Sequence, residues 1–216
     1  MPPVSAMIIG SSFVNRLNTF ISESRYNQCR YENLRFKAGF AEVYIEGVGG
    51  LNASGLHHVY DYGFSTCPPD NDIIVCHAGG NDLAWRESLN VAVDLYDYAT
   101  HVCEDFGVKH FVCCNVLNRY SVNGKGTLKF DVSEILFNQR AADLNQKLSL
   151  MFDTPSLHYW DLRSLEEPFY ISGSDGVHLT HEGMQPYLRE MRGAVLKYSN
   201  RLRGSPDWVP NSVMWQ

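Results

Sequence analysis

The chain has 216 residues, enough for one α/β domain and tight for two. With 44% hydrophobic and 19% charged residues, a packed core is expected and long disorder is not. Lys and Arg number 18 against 24 Asp and Glu, and the formal charge of −6 argues against broad, sequence-independent nucleic-acid binding through a basic face.

The elements follow in chain order. Ala6-Met7-Ile8-Ile9 reads as a first strand ending at Gly10, and Phe13, Val14, Leu17, Phe20 and Ile21 then recur at helical spacing. Val43-Tyr44-Ile45 is a second strand that runs into the turn-rich Gly47-Val48-Gly49-Gly50. Asp72-Ile73-Ile74-Val75-Cys76 is a third, followed by Gly79-Gly80-Asn81-Asp82. Val91, Leu95, Val102 and Phe106 mark a helix, and His110 to Val116 forms a fourth strand. Residues 119–131 read as a loop; Ile135, Leu136, Leu144, Leu148 and Met151 then predict another helix. Leu157-His158-Tyr159-Trp160-Asp161 is a fifth strand, and Tyr187, Leu188, Met191, Val195 and Leu196 lie on a last helix. Strands alternating with helices predict a three-layer α/β/α sandwich with a five-stranded parallel sheet, flavodoxin-like in class. The near-continuous apolar strands fit a sheet covered on both faces. One domain is expected over residues 1–203, with a tail at 204–216 that Trp208 and Trp215 dock onto it.

No apolar run approaches the ~18 residues of a membrane span, and the N-terminus lacks the basic region of a signal peptide. An intracellular, cytoplasmic location is therefore expected, or origin from a longer chain. The six cysteines (Cys29, Cys67, Cys76, Cys103, Cys113, Cys114) include no C-x-x-C spacing, so neither a zinc site nor a disulfide scaffold is expected. Several enzyme signatures are broken. Asn52 stands at the third glycine of a dinucleotide fingerprint, Gly126 at the hydroxyl position of a P-loop, Gln185 at the second His of H-E-x-x-H, and Val14 at the closing glycine of a nucleophile elbow.

Four segments remain, and all fall on the edge beyond the strand carboxyl ends, where ligands bind in such sheets. They are Gly10-Ser11-Ser12-Phe13, Gly49-Gly50, Gly79-Gly80-Asn81-Asp82 and Asp175-Gly176-Val177-His178. Singly, each has a plain structural explanation: a helix cap, a turn, an Asn-capped turn and a loop. Together they resemble the four blocks of the SGNH hydrolase family, the GDSL esterases, over roughly residues 5–200. Ser11 departs from the family pattern, which usually has Asp there. The strings GSSFVNRL, HAGGNDL and DGVHLTHEG bear a weaker resemblance to SGNH-type domains of animal retrotransposons and related mobile elements.

The resemblance implies a serine esterase or acetylhydrolase. Ser12 would be the nucleophile, His178 the general base and Asp175 its orienting carboxylate, with the oxyanion hole formed by Ser12 N–H, Gly50 N–H and the Asn81 amide. It implies no cofactor and no metal, and a small acyl ester as substrate. Trp85, Phe169 and Tyr170 are candidate pocket residues. His181 reads as an exposed helix-start residue, and the adjacent His57 and His58 do not read as a ligand pair. Arg25, Arg30, Arg35 and Lys37 form one basic cluster, and Arg189, Arg192, Lys197, Arg201 and Arg203 another. Both read as solvated faces, with weak RNA or membrane contact as the functional alternative. The competing reading of the whole chain is a catalytically silent SGNH-fold module that binds RNA or another partner.

Overall fold

Five strands form one all-parallel sheet in a computed structural model that describes residues 2–24, 32–61, 70–120, 132–165, 170–171 and 175–205. The predicted Cys29, Cys67, Arg25, Arg30 and Phe169, the loop segment 121–131 and the tail from residue 206 lie outside the described residues. The strands are β1 (Val4–Gly10), β2 (Ala41–Gly47), β3 (Ile73–His77), β4 (His110–Cys114) and β5 (Leu157–Trp160). Their spatial order is β2-β1-β3-β4-β5. This order places a topological switch point between β1 and β3, where the connections leave the sheet in opposite directions and open a crevice.

Among the described residues, five α-helices accompany the strands: α1 (Ser12–Ser24), α2 (Leu56–Asp61), α3 (Ser88–Asp105), α4 (Glu134–Met151) and α5 (His181–Leu202). Strand side chains alternate between two cores, as the two-residue period requires. Met7, Ile9, Ile74, Cys76, Phe111 and Cys113 pack with α3 and α4 residues including Leu95, Phe137 and Leu144. Ala6, Ile8, Ile73, Val75, Val112 and Cys114 pack on the other face with Val14, Leu17, Tyr187 and Met191 of α1 and α5. The flavodoxin-like three-layer reading is therefore correct in strand number, direction and position.

Helix boundaries follow local chemistry. Ser133 caps α4 by accepting from Leu136 N–H at 3.1 Å, and Thr180 caps α5 by accepting from Gly183 N–H at 3.1 Å. On α4 the buried stripe is Phe137, Ala141, Leu144 and Leu148, whereas Ile135 and Leu136 of the first turn face solvent. Strand β4 stops two residues earlier than its apolar run, because the side chain of Asn145 takes over the backbone of Val116. Asn145 accepts from Val116 N–H at 2.8 Å and donates to its carbonyl at 2.9 Å.

Register sets the geometry of the sheet edge. Gly10 at the end of β1 is level with Gly47 of β2 and His77 of β3. Three successive chain segments therefore leave the sheet side by side. Gly10 is required there, since a Cβ would collide with the His77 carbonyl oxygen and the Val14 side chain.

Candidate active site

Ser12 lies two residues beyond the end of β1 and opens α1, so its N–H belongs to the first turn and has no intrahelical acceptor. Ser11 precedes it and is buried; its N–H donates to the His77 carbonyl at 3.2 Å, and its own carbonyl accepts from Val14 N–H and Asn15 N–H. The turn that aims Ser12 is thus held by backbone bonds to the neighbouring strand, without the carboxylate that the family pattern places at residue 11.

Gly50 stands three residues beyond β2 with φ +80°, a left-handed conformation that glycine adopts without steric cost. Asn81 stands four residues beyond β3. Its Nδ2 donates to the Leu51 carbonyl at 2.9 Å, which ties the β3 loop to the β2 loop. Asp82, fully buried, ties them again: one carboxylate oxygen accepts from Ala53 N–H at 3.0 Å and the other from Arg86 at 3.1 Å. Burial raises the Asp82 carboxyl above its ordinary value, while the Ala53 N–H and Arg86 pull it back. Asn52 contributes its side chain to the same loop, accepting from Gly55 N–H at 2.8 Å.

Asp175 and His178 arrive on the segment between β5 and α5. Tyr120 N–H donates to the Gly176 carbonyl at 2.8 Å, and Thr180 N–H to the Tyr170 carbonyl at 2.8 Å, which anchors this segment at both ends. Oδ1 of Asp175 accepts from the backbone N–H groups of Val177 and His178, each at 2.9 Å. Oδ2 lies 2.6 Å from Nδ1 of His178, and Nε2 of His178 lies 2.8 Å from Oγ of Ser12. Burial alone raises the Asp175 carboxyl. The backbone and ring hydrogen bonds of His178 and the Val177 N–H outweigh burial and hold the group below its ordinary value. An ionised carboxylate can only accept, so Nδ1 carries the proton and Nε2 presents its lone pair to the Ser12 hydroxyl.

Two charged residues at this site were not singled out from the sequence. Arg16, one helical turn beyond Ser12, places its guanidinium 3.7 Å from Oδ2 of Asp175; both side chains are substantially exposed, so the pair adds little stability. Arg119 lies five residues beyond β4 and is buried. Its backbone is clamped by Asn138 of α4, which accepts from Arg119 N–H and donates to its carbonyl, both at 2.9 Å. Its guanidinium lies 4.3 Å from the ring centroid of Phe137 and donates to Oδ1 of Asn81 at 3.4 Å. Burial lowers the Arg119 group to about 10, against an upward pull from Asp175, so it remains charged at neutral pH. The signal for Arg16 was its four-residue spacing from Ser12; that for Arg119 was its place on the strand-end edge.

Ser12, Gly50, Asn81, Asp175 and His178 line one cleft of about 380 Å³, together with Trp85 and Arg119. Trp85 is 62% exposed and stands at the rim, with Arg86 beside its ring. Tyr170 supports the His178 segment through its carbonyl. His181 begins α5 and packs on Phe20, and His57 packs against Tyr98 and His101. Arg192 and Arg203 of the second basic cluster turn inward: Arg192 donates to the Leu34 carbonyl, and Arg203 to the Phe40 carbonyl. Cys76, Cys113 and Cys114 are buried core residues, and burial pushes the Cys76 thiol up to about 12. Among the described residues, no group of three or more His, Cys, Asp or Glu is arranged to hold a metal ion, and no helix is long and apolar enough to cross a membrane.

No protein-family model matches the chain, and no curated protein matches it. Solved structures do match in fold. A GDSL-like lipase from Bacteroides thetaiotaomicron aligns with a TM-score of 0.66 at 15% identity, covering 92% of both chains. The inhibitor-bound aryl esterase of M. smegmatis aligns at 0.65 and 14% identity, covering 89% of this chain and 98% of that one. A carbohydrate acetylesterase family member from Sinorhizobium meliloti aligns at 0.63 and 14%, covering 91% and 98%. The chain therefore shares the α/β fold of GDSL-type esterases and lipases.

Proposed function

We propose that this protein is a serine esterase that cleaves a short acyl ester. The observation that carries the proposal is the continuous hydrogen-bonded line Asp175–His178–Ser12 opening into a cleft. In this reading Nε2 of His178 takes the Ser12 proton as Oγ attacks the ester carbonyl carbon. Asp175 holds the ring in the required tautomer and stabilises the imidazolium. The carbonyl oxygen becomes an oxyanion and receives the N–H groups of Ser12 and Gly50 and the second amide hydrogen of Asn81. Collapse expels the alkoxide, which takes the proton from His178 and leaves an acyl-Ser12 ester. Water, deprotonated by His178, then releases the acid and restores the hydroxyl.

Each structural feature supplies a distinct part of this chemistry. The first turn of α1 adds its dipole and free N–H groups where negative charge develops. The bond from Asn81 to the Leu51 carbonyl fixes one amide hydrogen and thereby directs the other. The left-handed turn at Gly50 sets its backbone beside the cleft without a side chain in the way. A volume of about 380 Å³ suits a short acyl group with part of its alcohol.

Hydrolysis of nitrophenyl acetate, butyrate and octanoate by the wild type, Ser12→Ala and His178→Ala tests the proposal. Turnover by the wild type alone, fastest on acetate or butyrate, is expected. Equal background rates for all three proteins on every ester would contradict it.

A further inference from the structure

Arg119 is the unexplained charge of the site. It is 5% exposed, yet it lines the cleft together with Ser12, Asn81 and His178. Among the described residues, no carboxylate lies within ion-pair distance of its guanidinium; its neighbours there are the Phe137 ring and the Asn81 side chain. A buried cation without a matched anion costs stability unless it serves another end. Two further hydrogen bonds, both with Asn138, hold the Arg119 backbone in place.

The geometry of Asn81 shows what the charge reaches. Its amide is held from both ends: Nδ2 donates to the Leu51 carbonyl at 2.9 Å, and Oδ1 accepts from Arg119 at 3.4 Å. The Leu51 bond engages one of the two amide hydrogens. A cationic donor on the amide oxygen draws electron density from the nitrogen and makes the remaining N–H a stronger donor. It also forbids the flipped amide, in which the Asn81 nitrogen would face the guanidinium.

We infer that Arg119 is a positioning residue that locks and polarises the Asn81 amide, so that a buried positive charge acts on the developing oxyanion through Asn81. The inference rests on the esterase reading above and extends the charge-stabilising apparatus one residue beyond Ser12, Gly50 and Asn81. In this reading Arg119 acts through Asn81 and not on the reacting atoms. Its effect belongs to the transition state and therefore to kcat, with KM little changed.

A double-mutant cycle on nitrophenyl acetate tests this, using Asn81→Ala, Arg119→Met and the double variant, with thermal melts to establish folding. Asn81→Ala is expected to lower kcat about 10²- to 10³-fold. Arg119→Met is expected to lower it about ten- to a hundredfold, as for loss of a hydrogen bond from a charged donor, with KM within about twofold of wild type. The double variant is expected to match Asn81→Ala within about twofold, because Arg119 has nothing left to act upon. Arg119→Lys and Arg119→Gln carry the comparison should the Met variant not fold, with Lys retaining more kcat than Gln. A loss that multiplies in full onto Asn81→Ala, a KM effect at unchanged kcat, or equal wild-type rates for Lys and Gln would overturn the inference. Full activity of Asn81→Ala would instead remove the role of Asn81, and this inference with it. Loss in Asn81→Ala with full activity in Arg119→Met would remove the role of Arg119 alone.

Discussion

His77 offers a quantitative test of how the sheet edge is built. It ends β3, is 3% exposed, lies against the rings of Phe13 and Tyr187, and has Nδ1 2.8 Å from the buried Tyr187 hydroxyl. Burial lowers its pKa from 6.5 to about 4. The unfolded chain therefore takes up a proton at higher pH than the folded one. The stability tied to neutral His77 is fully present above pH 6.5 and is lost as pH falls through the folded value near 4. At pH 4.5 the two values predict a loss of about 2.5 kcal/mol relative to pH 7 from this group. Urea unfolding of the wild type and of His77→Gln at both pH values isolates it. Gln keeps a polar partner for Tyr187 and does not titrate. The drop between pH 7 and 4.5 should be smaller in the variant by about 2–3 kcal/mol, an amount easily measured from midpoints and slopes. An equal drop in both proteins would refute the argument and show that acid sensitivity lies elsewhere.

Two further outcomes follow from the same edge. Gly10→Ala sets a Cβ against the His77 carbonyl and the Val14 side chain. It should cost roughly 1–3 kcal/mol, lower Tm by several degrees, and reduce kcat by about a hundredfold through displacement of Ser12, as thermal melts and ester turnover would show. Asp82→Asn replaces one of the two acceptors of a fully buried carboxylate with a donor, so either the Ala53 N–H loses its acceptor or Arg86, which keeps Asp94, loses its bond to residue 82. A loss of about 1–3 kcal/mol in urea unfolding is expected, together with a fall in kcat as the Gly50 and Asn81 loops separate.

The sheet was legible because β1, β3 and β4 are short apolar runs buried on both faces, and β1 to β4 each run into a turn that holds Gly or Asn. Those turns also betrayed the residues of the cleft. The segments holding Ser12, Gly50 and Asn81 follow strands whose last residues share a register row, so proximity at the edge came with the topology. Arg119 was harder to see. Only its place beyond a strand end marks it, and its seating depends on Asn138 of a helix 19 residues away in sequence. Helix α2 was missed because six residues carry too little periodicity to register. Ile135 was read into the core stripe of α4, but the stripe begins at Phe137, and the side chains of Ile135 and Leu136 are exposed. The inward use of Arg192 and Arg203 was equally hidden, since a run of basic residues looks the same whether it faces water or caps carbonyls.

The most direct test of the central claim is covalent labelling. The wild type, Ser12→Ala and His178→Ala should be treated with an organophosphonate that traps activated serines, digested, and read by mass spectrometry. The account predicts one phosphonyl adduct on the Ser12 peptide of the wild type, its absence in Ser12→Ala, and strongly slowed labelling in His178→Ala. An unlabelled wild-type Ser12, or labelling at the same rate without His178, would contradict it.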